Sequence, residues 1–172
     1  MEKIFENKHT RDEEFYAEYY RYFSFKRPKT IFICGFLFVV FLIGLLALFR
    51  IIEVGSMLTL VYIVLPLVGW ATILFRYFNL KKMSYARDLE LGNGAPIEVR
   101  SVLTEEGIGV YKGDAETPHH VDLSNIGKVA ETKNYYLLLS VARQSFVFRK
   151  DGFLKGTTEE FLEFLEEKGI RK

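Results

Sequence analysis

Few side chains in this 172-residue chain stand close enough in sequence to do chemistry together. The densest group is His119-His120, followed by Asp122. On a strand, neighbouring side chains point to opposite faces, so the two histidines cannot readily ligate one metal. His120 and Asp122 share a face and with a further ligand could hold a divalent ion, although a solvated strand face is the ordinary account of them. Arg143, Arg149 and Lys150 form a second group, cations on strand ends that could bind an anionic head group or a protein partner together with backbone amides. The glycines of Gly92-Asn93-Gly94 read as a turn, because the GK[ST] continuation of a phosphate loop is missing. The chain has no G-x-S-x-G, no HExxH and a single cysteine, Cys34, so it cannot pair cysteines internally. It is therefore expected to be no enzyme, with no catalytic residue, no metal and no cofactor.

The elements that would position these groups lie mostly after Ala95, in short β runs at roughly ten-residue spacing. Ile97, Val99, Ser101 and Leu103 alternate with polar neighbours. Further runs follow at Ile108–Tyr111, His119–Leu123 and Ile126–Thr132. Tyr135–Val141 is strongly apolar and predicts a central strand buried on both faces. Gln144–Lys150 follows it. Thr157 and Glu160 have capping-box spacing ahead of a helix with the apolar stripe Phe161, Leu162, Phe164 and Leu165. About five antiparallel strands closed by a C-terminal helix make an α+β unit.

At the other end, Lys3-Ile4-Phe5-Glu6 alternates weakly and suits an edge strand. Thr10 and Glu13 predict a first capping box, and a helix from Arg11 to about Phe25 whose acidic residues Asp12, Glu13, Glu14 and Glu18 belong to its start and wet face.

Two runs without a charge then dominate the chain, Ile31–Phe49 and Met57–Phe75, each 19 residues long. At ~1.5 Å rise per residue, 19 helical residues reach about the ~30 Å of a bilayer's hydrocarbon core. They predict a transmembrane helical hairpin. Neither run contains an Asp, Glu, Lys, Arg or His, which argues against an ion path. Pro66 falls mid-way along the second, and Gly35, Gly44, Gly69 and Ala71 allow close helix approach. Tyr19, Tyr22 and Phe23, then Lys26, Arg27 and Lys29, read as an aromatic belt and cationic anchor before the hairpin; Arg76, Lys81 and Lys82 anchor its far side. The loop between the runs has Arg50 as its only cation, so the positive-inside rule places both termini in the cytoplasm.

Composition agrees with a chain divided between lipid and water: 49% hydrophobic, 16% aromatic, yet 26% charged. A net charge of +1 offers no field for nucleic acid. The boundaries drawn are 1–29 for a cytoplasmic N-terminal segment with an interfacial helix, 30–77 for the hairpin, and 78–172 for a cytoplasmic domain.

The stretch Leu123-Ser-Asn-Ile-Gly-Lys-Val-Ala-Glu-Thr-Lys-Asn-Tyr-Tyr-Leu-Leu-Leu, continuing to Phe146-Val-Phe-Arg-Lys-Asp-Gly-Phe153 and a final helix, resembles the YcxB-like family of bacterial membrane proteins. The C-terminal domain of that family is similar in layout to bacterial pleckstrin-homology-like (PH-like) domains. The resemblance implies a bacterial inner membrane and a PH-like curved sheet, and carries no functional residue across. The expectation is a multi-pass membrane protein that tethers an interaction domain for a protein partner or anionic lipid, with a homo-oligomer compatible. Alternatives are an immunity-type protein neutralising a membrane-active toxin, or an accessory subunit of a membrane complex.

Overall fold

The computed structural model describes residues 4–113, 115, 117–142 and 144–170. In chain order its elements are β1 (Phe5–Arg11), α1 (Glu13–Arg21), α2 (Pro28–Leu48), α3 (Ser56–Leu91), β2 (Ile97–Leu103) and β3 (Gly107–Lys112). β4 (His119–Asp122), β5 (Ile126–Glu131), β6 (Tyr135–Ser140), β7 (Ser145–Arg149), β8 (Phe153–Lys155) and α4 (Thr158–Glu167) follow. Packing divides them into two compact units, one of residues 1–18 with 85–172, the other of residues 19–84.

The first unit is α+β, with two antiparallel sheets ordered β4-β3-β2-β1-β8 and β5-β6-β7. The N-terminal strand differs from the sequence expectation. It is an inner strand, paired along its whole length with β2 from Phe5↔Leu103 to Arg11↔Ile97, and on its other side with β8 through Asn7↔Phe153. Residues 4–18 therefore belong to the same compact unit as the C-terminal sheets. Thr10 ends up inside β1, and the helix cap is Asp12, whose carboxylate accepts the Phe15 N–H at 2.7 Å.

β6 is central in its sheet, and Tyr135, Tyr136, Leu137 and Leu138 are all buried, as an unbroken apolar run predicts. The core between the sheets holds Phe5, Val99, Leu103, Ile108, Leu138 and Phe148. α4 closes it. Thr157 caps that helix in a reciprocal box with Glu160, and Phe161, Phe164 and Leu165 are buried almost completely. Phe161 lies 4.8 Å from Phe148 and 5.8 Å, edge-on, from Phe5. At about 1.5–3 kcal/mol for each large apolar side chain buried, these three anchors offset part of the ordering cost of the ten-residue helix. Asn7, fully buried, joins the sheets: its amide donates to the Arg149 carbonyl at 2.7 Å and accepts the Arg149 N–H at 2.8 Å.

The second unit is built on α2 and α3, both long and apolar enough to cross a membrane. Pro28 starts α2, where its missing N–H costs nothing, and α3 runs unbroken through Pro66. The helices touch where glycine permits. A Cβ on Gly44 would come within 2.9 Å of Ile63, and one on Gly69 within 2.8 Å of Leu37, while Gly35 faces open space. Phe41 and Trp70 meet edge to face at 5.6 Å. Most large apolar side chains of these helices point outward, including Phe32 at 77% and Met57 at 81% exposure.

Candidate functional site

Along β1 the inward side chains are Phe5, Asn7, His9 and Arg11, so the face that begins in the apolar core turns polar within seven residues. Register extends this change across the sheet. His9 lies opposite Val99, and Val99 opposite Lys112; Asn7 lies opposite Ser101, Ser101 opposite Val110, and Val110 opposite His119. Cross-strand partners share a face, so all of these point the same way. β7 covers them from the second sheet, with Ser101 Oγ donating to the Val147 carbonyl at 3.4 Å. Between the layers remains a cavity of about 230 Å³, lined by His9, Arg11, Ser101, Lys112, His119 and the segment Gln144–Val147.

His9 is the unusual member. It is 3% exposed, and neither ring nitrogen meets a hydrogen-bond partner among the described residues. The imidazole packs between Phe15, 5.4 Å away, and Tyr135, 6.1 Å away. Burial, then the charges of Arg11 and Arg149, lower its pKa to about 3, so it is neutral at physiological pH. Tyr135 is pushed up to about 12, chiefly by burial and then by Asp12.

Arg11 is held from one side only. Its Nη1 lies 3.5 Å from Asp88 Oδ2, whereas its Nε–H is buried without an acceptor among the described residues. Asp88 is itself buried and also accepts the Tyr16 hydroxyl; burial and that bond push the phenol well up. The Lys112 ammonium is lowered, first by desolvation and then by the Arg11 charge. Among the described residues the cavity lining thus gathers donors and positive charge and no carboxylate, and Asp88, which pairs with Arg11, is already committed.

The cations singled out from sequence are arranged otherwise. Arg149 is bound at both ends by Asp151, Nε to Oδ1 at 2.5 Å and Nη2 to Oδ2 at 3.0 Å, which holds the Asp151 carboxyl low. Lys150 pairs with Glu131 at 2.5 Å and lies 5.1 Å from the Tyr136 ring centroid. Each is matched by its own carboxylate, so the two do not converge on one anion; Arg143 lies outside the described residues. His119 and His120 face opposite ways: His119 lines the cavity, while His120 stands 3.6 Å from Asp122 on the outer face. Among the described residues no group of three His, Cys, Asp or Glu could hold a metal. Glu18 is not simply a wet-face residue, because its carboxylate accepts both the backbone and side-chain N–H of Asn134 at 2.7 and 2.9 Å.

In the second unit, Tyr19 lies 4.7 Å from Phe23, Tyr22 lies 5.3 Å from it, and the Arg27 guanidinium sits 4.7 Å from the Phe23 centroid. Tyr22 is buried; Lys26, Lys29, Arg76 and Lys82 are exposed and Lys81 is half-buried. Comparison with protein-family models, curated proteins and solved structures yields no match for this chain.

His9, Arg11, Asp88 and Lys112 are the residues that sequence reasoning missed. The available signal was the odd-numbered set Asn7, His9 and Arg11, in register with Phe5 on one face of a strand.

Proposed function

We propose that the chain is a non-enzymatic membrane protein in which α2 and α3 form a transmembrane hairpin and the α+β unit is a binding module. The observation that carries this reading is the outward display of apolar side chains by both helices, 17% and 11% of whose apolar windows are buried. A soluble bundle would turn that surface inward. In this reading Arg21, Lys26, Arg27 and Lys29, with Arg76, Lys81, Lys82 and Arg87, fix both termini in the cytoplasm of a bacterium. Two antiparallel sheets closed on their core by α4 support a PH-like architecture for the module. Its partners are the bilayer and a protein or anionic ligand brought near it, with tethering raising the effective concentration.

The test is thiol labelling with a membrane-impermeant reagent after Cys34→Ala. A cysteine at Glu53 is expected to label in intact cells, whereas one at Lys155 labels only after lysis. Recovery of the chain in the soluble fraction, or the reverse labelling pattern, overturns the reading.

A further inference from the structure

We infer that the cavity between β1, β2, β3 and β7 is a binding site for a small oxyanion of the phosphate type. His9 and the Arg11 Nε–H donate to its oxygens from the floor, and Lys112 and His119 close over it from the rim. This names the ligand class of the binding module proposed above and rests on that reading.

Three observations converge on it. The first is unmet bonding capacity. A guanidinium Nε–H can only donate, so its burial without a partner among the described residues leaves an acceptor missing, and the neutral His9 ring adds one N–H without an acceptor there. Orphaned polar atoms of this kind cost about 1–3 kcal/mol each, and such groups are rare in native interiors unless something else satisfies them. The second is charge. Arg11 and Lys112 are cationic and Asp88 is already engaged by Arg11 and Tyr16, so a cation would be repelled and an apolar guest would leave every donor unpaired. The third is size and reach. At about 230 Å³ the cavity is smaller than the roughly 300–1,000 Å³ of drug-sized sites. His9 and Lys112 stand two strands apart, about 10 Å between backbones. That span suits one tetrahedral group held between an imidazole and an extended lysine. A phosphate ester could place its phosphoryl group here with the rest outside.

The full-length chain in a neutral, zwitterionic nanodisc is titrated calorimetrically with inorganic phosphate and with sulfate. Saturable binding of either is expected. Lys112→Gln, at the exposed end of β3, removes one charge-assisted contact and is expected to weaken binding roughly ten- to a hundredfold without loss of fold. His9→Phe keeps an aromatic ring between Phe15 and Tyr135 and is expected to abolish binding. Adding phosphatidic acid to the nanodisc identifies the source: competition with free phosphate assigns a lipid head group, and unchanged affinity assigns a soluble oxyanion. No heat with either anion, or wild-type affinity in both variants, overturns the assignment. Such a failure leaves the labelling result untouched, so the loss of the ligand class is distinguishable from the loss of the membrane anchor.

Discussion

Replacing His9 with Phe should make the sheet unit more stable, and more so in acid. In the native state His9 titrates at about 3, against about 6.5 in an unfolded chain. Between those values the unfolded chain holds the extra proton, so stability is fully present above pH 6.5 and is lost progressively as pH falls towards 3. At about 1.36 kcal/mol per pH unit, acidification from 6.5 to 5 costs the wild type roughly 2 kcal/mol through this one group, and the full window costs roughly 5 kcal/mol. At pH 8 the ring is neutral in both states, and what remains is the desolvation of two nitrogens unpaired among the described residues, about 1–3 kcal/mol each. His9→Phe removes both penalties while keeping the ring contacts to Phe15 and Tyr135. Hydrogen–deuterium exchange of β1 and β2 amides in the full-length chain reads the opening free energy of this unit without interference from the hairpin. The variant should exchange more slowly than wild type at pH 8, and the gap should widen at pH 5. Equal pH slopes for the two proteins, or faster exchange in the variant at pH 8, would refute the reasoning, because His9 would then have a partner in solution.

Other substitutions test the contacts around the cavity and the hairpin. Asn7→Ala strips the Arg149 N–H and carbonyl of their partners and should destabilise the sheet unit by about 2–4 kcal/mol, read by the same exchange experiment. Asp88→Ala leaves Arg11 half-buried and unpaired and should cost about 3–5 kcal/mol, with Arg11→Met in the same chain recovering part of the loss. Gly44→Leu drives a side chain into Ile63 and Tyr62 and should splay α2 from α3, lowering the efficiency of a cysteine crosslink between the helices while leaving the sheet unit's exchange unchanged. Thr157→Ala should cost α4 about 1 kcal/mol, seen as faster exchange in its first turn.

What could be read from sequence was what local pattern alone determines. The two long apolar helices were legible because 19 uncharged residues in a row hold nothing that breaks so long an apolar run. β6 was legible for the same reason, and the α4 cap because Thr157 and Glu160 satisfy each other three residues apart. β1 was not. Lys3–Glu6 alternates weakly, as an edge strand does, but beyond Phe5 the sequence is polar on both faces, so nothing announces a buried inner strand, and the groups that make burial tolerable lie far along the chain. Asn7 is satisfied by Arg149, 142 residues later, and Arg11 by Asp88, 77 residues later. At Arg149 and Lys150 the charges were visible but their partners were not: Asp151 lies two residues on, and Glu131 lies on the far side of β6 from Lys150.

These two kinds of polar residue suggest how to separate structural groups from ligand-facing ones in this fold. Both Asn7 and His9 replace an apolar side chain on the inner face of the same strand, and both are buried almost completely. Asn7 offsets that burial with two hydrogen bonds that stitch one sheet to the other, so its removal should destabilise. His9 has no such return within the described residues, so its removal should stabilise. Arg11 combines the two within one side chain, its Nη1 answered by Asp88 and its Nε unanswered. Along this strand the unanswered atoms begin where the apolar core ends and the cavity opens. A purely structural role would give no reason for that coincidence; a ligand that completes the bonding does, and opposite signs for Asn7→Ala and His9→Phe would tell the two explanations apart.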